Sequence, residues 1–151
     1  MPELPEVEAL ARFLAERTAG RTVADVAVVA VSALKTFSPA PADLVGRPVL
    51  DVRRHGKWLD LTTDGPHLLA HLSRAGWVRW YDAVPATTPR PGRGPIALRL
   101  RLDDGSGFDL TEAGTRKRLA VHVVDDPAQV PLVASLGVDP LSPEFTADRL
   151  A

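Results

Sequence analysis

The chain contains no cysteine in its 151 residues, which excludes disulfides and every metal site built on thiolates. The lack is compatible with a reducing, cytoplasmic setting. No stretch approaches the ~20 consecutive apolar residues of a membrane-spanning helix. The start is acidic and has no basic-then-apolar run, so no secretory signal is read there. No His, Asp or Glu cluster has metal-ligand spacing, so no metal is expected. Internal repeats are absent. There is also no excess of positive charge: the formal net charge is −1, whereas nucleic-acid-binding domains are commonly basic.

What is present fits one globular domain. A chain of this length buries about 70% of its unfolded surface. The basic residues are grouped, with Arg53, Arg54 and Lys57 in one set, Arg74 and Arg79 in a second, Arg90, Arg93, Arg99 and Arg101 in a third, and Arg116, Lys117 and Arg118 in a fourth. Acids concentrate elsewhere, at Asp103, Asp104, Asp125, Asp126, Asp139, Glu144 and Asp148. Each basic set alone reads as a solvated face; together they read as a phosphate track whose binding weakens steeply with salt.

The pattern predicts an N-terminal helix, many short strands and a second short helix. Pro5 suits a first helical turn. Val7, Leu10, Phe13 and Leu14 then recur at helical spacing, and Gly20 supplies a stop. Strands are expected at 23–31, 49–53, 57–62, 68–72, 77–81, 96–103, 108–110 and 118–123. The segments 49–53 and 57–62 form one pair, and 68–72 and 77–81 another that turns at Ala75-Gly76. Residues 85–95 read as a surface loop, and 127–136 as a short helix. Trp58, Trp77, Trp80 and Phe108 fall within strand patterns and are assigned to sheet or core packing. His55 and His67 are read as turn or surface residues. The fold class is therefore α+β, mostly β: a two-layer antiparallel β-sandwich flanked by the N-terminal helix and the second short helix.

The first ten residues, Met1-Pro2-Glu3-Leu4-Pro5-Glu6-Val7-Glu8-Ala9-Leu10, carry chemistry. With Met1 removed, Pro2 presents a free secondary amine. An α-amino group titrates near ~8, against ~10.4 for lysine, so a usable fraction is unprotonated at neutral pH. Such an amine condenses with an aldehyde-level carbon to an iminium ion, an electron sink that favours elimination. Glu3 and Glu6 supply acid/base capacity beside it, at the positive end of the helix dipole. Glu8, further along, is read as a solvated helix residue. With Met1 attached, the Pro2 nitrogen is a tertiary amide and this chemistry is absent.

The string Pro2-Glu3-Leu4-Pro5-Glu6-Val7-Glu8 closely resembles the amino terminus of the formamidopyrimidine-DNA glycosylase / endonuclease VIII family. Arg53-Arg54-His55-Gly56-Lys57-Trp58-Leu59 resembles that family's strand with a phosphate-binding lysine, here Lys57. His71-Leu72-Ser73-Arg74-Ala75-Gly76 resembles the following strand and turn, with His71 at a phosphate-contacting position. Leu136-Gly137-Val138-Asp139-Pro140-Leu141-Ser142 resembles the exit from the catalytic domain.

The resemblance implies base-excision repair: a bifunctional DNA glycosylase and abasic-site lyase acting on oxidised bases, with Pro2, Glu3, Glu6 and Lys57 as catalytic residues. His71, Arg74, Arg116, Lys117, Arg118 and Leu119 would contact DNA. Arg74 stands where the family often has a gap-filling methionine. Glu112-Ala113-Gly114-Thr115-Arg116-Lys117-Arg118-Leu119 replaces a second filler segment, with Leu119 as its apolar wedge. The implied partner is double-stranded DNA with a damaged base or abasic site, bound by a monomer that is cytoplasmic and associated with the nucleoid.

The domain expected is 1–136, followed by a linker and the start of a truncated helical domain at 137–151. The family's C-terminal four-cysteine zinc finger has no counterpart in this sequence, so no cofactor is expected. The alternative from the same resemblance is a non-catalytic DNA-binding domain. A terminal-proline tautomerase is disfavoured, because those chains place a strand directly after the proline and here a helix follows.

Overall fold

The computed structural model describes residues 3–87, 89, 94–114 and 117–134. Helix α1 spans Leu4–Thr18, with Glu3 as its N-cap and Pro5 in the first turn, where the missing N–H costs no hydrogen bond. Val7, Ala11, Leu14 and Thr18 form its buried stripe. Gly20 sits at φ 78° just beyond the helix, a conformation glycine adopts without a Cβ penalty. The sequence pattern predicted both ends of this helix.

The strands are β1 (Val23–Val28), β2 (Val49–His55), β3 (Trp58–Thr63), β4 (His67–His71), β5 (Trp77–Tyr81), β6 (Ile96–Leu102), β7 (Gly107–Thr111) and β8 (Ala120–Val124). They form two four-stranded sheets, ordered β1-β6-β7-β5 and β2-β3-β4-β8, with antiparallel pairing throughout. Leu59, Leu61, Leu68, Ala70, Val121 and Val123 of the second sheet share one core with Val78, Leu98, Leu100, Leu102, Phe108 and Leu110 of the first. This is the expected mostly-β sandwich with its N-terminal helix.

Five expectations need correction. The segments 68–72 and 77–81 do not pair. β4 lies between β3 and β8, whereas β5 pairs with β7. The chain between them is a tight turn in which the Gly76 N–H donates to the Leu72 carbonyl at 2.9 Å and Ser73 adopts φ 59°. A Cβ on Gly76 would lie 2.2 Å from the Leu72 oxygen, so glycine is required. The turn carries the chain from one sheet to the other instead of folding it back.

β1 ends at Val28, short of Val31. The amides of Val29 and Ala30 both donate to the Ala97 carbonyl, which ends the ladder. A 3-10 turn follows at Val31–Ala33, with Val31 exposed. The C-terminal helix is split into a 3-10 turn at Pro127–Gln129 and a short α2 at Pro131–Ala134. Pro131 has no N–H to continue the first segment.

Among the aromatics, Trp58 and Phe108 are buried, but Trp77 is 43% exposed. Trp80 meets the Phe13 ring edge-on at 6.3 Å.

Arg99, grouped by sequence with a phosphate track, is internal. Its Nε and Nη2 donate to the two oxygens of the fully buried Asp109 at 2.8 and 3.0 Å. The Tyr81 hydroxyl adds a third bond to that carboxylate at 3.0 Å.

Candidate active site

The start of α1 and the β2–β3 turn meet at one end of the second sheet. The Glu6 carboxylate accepts the Glu3 N–H at 3.2 Å, which satisfies a donor that a helix start otherwise leaves open. Glu3 and Glu6 both remain exposed. Lys57, at the turn of the β2–β3 hairpin, places its Nζ 3.5 Å from Glu3 Oε2. Residues 46 to 54 positions apart in sequence thus converge around the amino terminus. Pro2 itself lies outside the described residues.

Two residues that sequence reasoning assigned elsewhere hold this arrangement. Arg54, taken for a phosphate contact, has a side chain only 2% exposed. Its Nε donates to Glu8 Oε2 at 3.2 Å and its Nη1 to the Gly56 carbonyl at 3.0 Å. Glu8 is therefore an anchor and not simply a solvated helix residue. The pair ties the first turns of α1 to the turn that carries Lys57. The signal for it was an acid next to the buried stripe of Val7 and Ala11, which sequence alone reads equally well as surface.

His71 ends β4, and its Nδ1 accepts the Ser73 N–H at 3.0 Å. That bond places the ring proton on Nε2, pointing a donor away from the turn. Burial, together with the nearby Lys57 ammonium, lowers the His71 pKa. At neutral pH it is a neutral N–H donor beside a cation, a combination suited to a phosphate oxygen. Arg74 is exposed at the tip of the same turn.

The loop after β7 departs from expectation. Lys117 is buried, and its ammonium donates to the carbonyls of Gly94 (2.8 Å), Glu112 (2.6 Å) and Gly114. All three of its protons are occupied inside the protein, so it clamps the loop and is not presented to a phosphate. Leu119 is 0% exposed and part of the main core, so it is no wedge in this conformation. The buried Glu112 carboxylate accepts the backbone N–H groups of Arg118 (2.6 Å) and Leu119 (3.0 Å). The Arg118 side chain remains exposed. Arg116 lies outside the described residues.

His55 and His67, read as turn or surface groups, both bond one buried carboxylate. His55 Nε2 lies 2.7 Å from Asp60 Oδ2, and His67 Nδ1 lies 2.8 Å from Oδ1. Burial pushes the Asp60 carboxyl up, but the bonds from His55 and His67 outweigh it and leave the pKa below its ordinary value. Among the described residues, no group of three or more His, Asp or Glu side chains is placed to hold a metal. With no cysteine in the sequence, a four-thiolate zinc site does not fit this chain.

The sequence profile of the formamidopyrimidine-DNA glycosylase N-terminal domain matches residues 1–121. The chain belongs to this family. Among its relatives, the formamidopyrimidine-DNA glycosylase of Symbiobacterium thermophilum is 38% identical over 156 aligned positions, covering 100% of this chain and 48% of that protein. The enzyme of the same name from Variovorax paradoxus is 39% identical, covering 98% of this chain and 53% of its own length. The chain thus spans about half the length of these relatives.

The fold agrees. A Lactococcus lactis formamidopyrimidine-DNA glycosylase bound non-covalently to DNA containing an abasic site superposes with a TM-score of 0.76 at 23% identity, covering 98% of this chain and 55% of that one. Another, from a complex between an inhibited form of the L. lactis protein and DNA containing an N7-benzyl formamidopyrimidine lesion, gives 0.72 at 24% identity over 88% of this chain and 47% of that one. Among the described residues, no helix is long and apolar enough to cross a membrane.

Proposed function

We propose that this chain is the reactive N-terminal domain of a bifunctional DNA glycosylase and abasic-site lyase of base-excision repair. The observation that carries the reading is the 3.5 Å approach of Lys57 Nζ to Glu3 Oε2 at the start of α1, one residue from Pro2. The lysine supplies a positive charge for a DNA phosphate, and the carboxyl group serves the sugar next to the terminal amine. His71 adds a neutral N–H donor on the same side of the β2–β3 hairpin.

In this reading the damaged nucleotide is turned out of the helix stack. Pro2, freed by removal of Met1, attacks C1′ through its secondary amine. Glu3 protonates the deoxyribose oxygen as the ring opens, and the base leaves. The resulting iminium acidifies the neighbouring C–H, and elimination nicks the strand. The substrate is double-stranded DNA carrying an oxidised base or an abasic site. The Lactococcus lactis relatives are seen on DNA containing an N7-benzyl formamidopyrimidine lesion and on DNA containing an abasic site, which supports damaged DNA as the substrate.

Borohydride trapping on a duplex with an abasic site tests the proposal. The expected result is a covalent protein–DNA adduct that disappears in Pro2→Gly. Absence of an adduct from protein shown by mass spectrometry to lack Met1 would replace the enzyme reading with that of a DNA-binding domain without catalysis.

A further inference from the structure

All four histidines of the chain lie on the outer face of the β2-β3-β4-β8 sheet. The inner face is fixed by Leu59, Leu61, Leu68, Ala70, Val121 and Val123, which enter the main core. Strand alternation then turns Trp58, Asp60, His67, Leu69, His71, Ala120 and His122 outward. His55 joins them opposite Trp58.

At the end of this face nearest Lys57, the side chains form a row. The Trp58 ring meets His71 edge-on at 5.1 Å and His122 at 5.3 Å. Each histidine has a lysine close enough, after burial, to lower its pKa: Lys57 for His71 and Lys35 for His122. Lys35 is set in place by the segment that runs beside β8. Leu34 bridges to Val121, the Lys35 N–H donates to the Val121 carbonyl at 2.9 Å, and the Val123 N–H donates to Thr36 Oγ1 at 2.9 Å. Leu34 packs against the core, so Lys35, its neighbour, faces out with His122. Lys35 is exposed, and its Nζ donates to the Ser32 carbonyl at 2.6 Å.

The acids of these four strands are Asp51 and Asp60, and both are engaged away from the row. Asp51 pairs with Arg53 at 3.2 Å, and Asp60 is held between His55 and His67. The row therefore carries cations and N–H donors; of the carboxylates near it, Asp60 on the same face is held by His55 and His67, and Glu3 of the helix start faces Lys57.

We infer that Lys35 and His122 extend the phosphate-binding surface of Lys57 and His71 across the sheet, so that a DNA backbone runs along Lys57, His71, His122 and Lys35, past the apolar cluster in which Trp58 is buried with Leu69, Val124 and Val130. From β3 to the segment at 34–36 is three inter-strand steps, roughly 14 Å. That length serves a short stretch of one strand's backbone. Trp58, buried with Leu69, Val124 and Val130, meets both rings edge-on. The inference rests on the DNA-binding reading above, and it adds two residues that neither the motifs nor the charge groups nominated.

The test measures binding of the 151-residue chain to a labelled duplex with an abasic-site analogue, by fluorescence anisotropy between 50 and 200 mM salt. Lys35→Ala is expected to flatten the dependence of log K on log salt by about one unit, and Lys35→Arg to restore it. His122→Ala is expected to weaken binding about fivefold, the loss of one hydrogen bond. Arg21→Ala, at an ion pair with Asp104, serves as the surface control with an unchanged slope. If Lys35→Ala keeps the parent slope while Lys57→Ala lowers it, the inference falls and the DNA reading stands. If the parent chain shows no salt-dependent binding, both fall.

Discussion

The guanidinium of Arg54 and the carboxylate of Glu8 meet at 3.2 Å across the joint between α1 and the β2–β3 hairpin, with the Arg54 side chain sealed from solvent. One end of this pair sits in the second turn of the helix whose first turn holds Glu3 and Glu6. The other end grips the Gly56 carbonyl, one residue from Lys57. The tie joins the helix that begins at Glu3 to the turn that carries Lys57.

Removing one partner leaves a nearly buried guanidinium short of a counter-charge. Because Glu8 is itself partly exposed, the cost is well below that of a fully buried pair. Glu8→Ala is expected to lower unfolding stability by about 1–3 kcal/mol, measured by urea denaturation. It should also reduce the rate of borohydride trapping, because the helix start is no longer held against Lys57. Unchanged trapping kinetics would separate the anchor from the site.

Glu3→Gln keeps the size of the side chain and the helix cap but removes the acid. Base excision from a duplex with an oxidised base should be lost, while some strand cleavage at preformed abasic sites is kept, since elimination from the iminium needs Pro2 more than Glu3. Gel assays on the two substrates, run side by side, check this; full excision by the variant would remove Glu3 from its role.

Lys117→Met strips three carbonyls of their common donor. The loop between β7 and β8 should loosen, and stability should fall by about 1–3 kcal/mol, read from thermal unfolding. The salt dependence of DNA binding should keep its slope, because this ammonium does not face solvent. A slope lowered by about one unit would return Lys117 to the phosphate surface.

Asp60 gives a pH prediction. Its folded pKa lies below the ordinary value, so the carboxylate contributes stability that is complete above the unfolded pKa near ~3.9. That contribution is lost as pH falls through the lower folded pKa. Asp60→Asn should be less stable than the parent at pH 6, and the gap should narrow as pH is lowered from ~4 toward 2. Melting temperatures over that range measure it; a constant gap would mean the carboxylate charge is not what the two histidines hold.

Some of this was legible in the chain. The spacing of Val7, Leu14 and Gly20 predicted α1 closely, and alternation at Ile96–Leu102 predicted a strand, because both patterns are local periodicities imposed by one buried face. The motif around Lys57 and the Met1–Leu10 string pointed to the region where Lys57 lies beside Glu3. The pairing of 68–72 with 77–81 was misread, because a hairpin and a sheet-to-sheet crossing have the same local turn signal. What distinguishes them is the pairing of β4 with β8 and of β5 with β7, and that is set only when the two sheets pack.

By itself, then, the sequence determined most of the helix and strand segments, and that this chain has no thiolate chemistry. Tertiary structure decided which charges are tools and which are fasteners. Arg54, Arg99 and Lys117 look identical in sequence to surface cations, yet each is turned inward onto Glu8, Asp109 or a set of carbonyls. Lys35 and His122, unremarked in the sequence, are brought beside Trp58. A charge's role depends on its burial and on the partner across the fold, and neither is encoded in its neighbours along the chain.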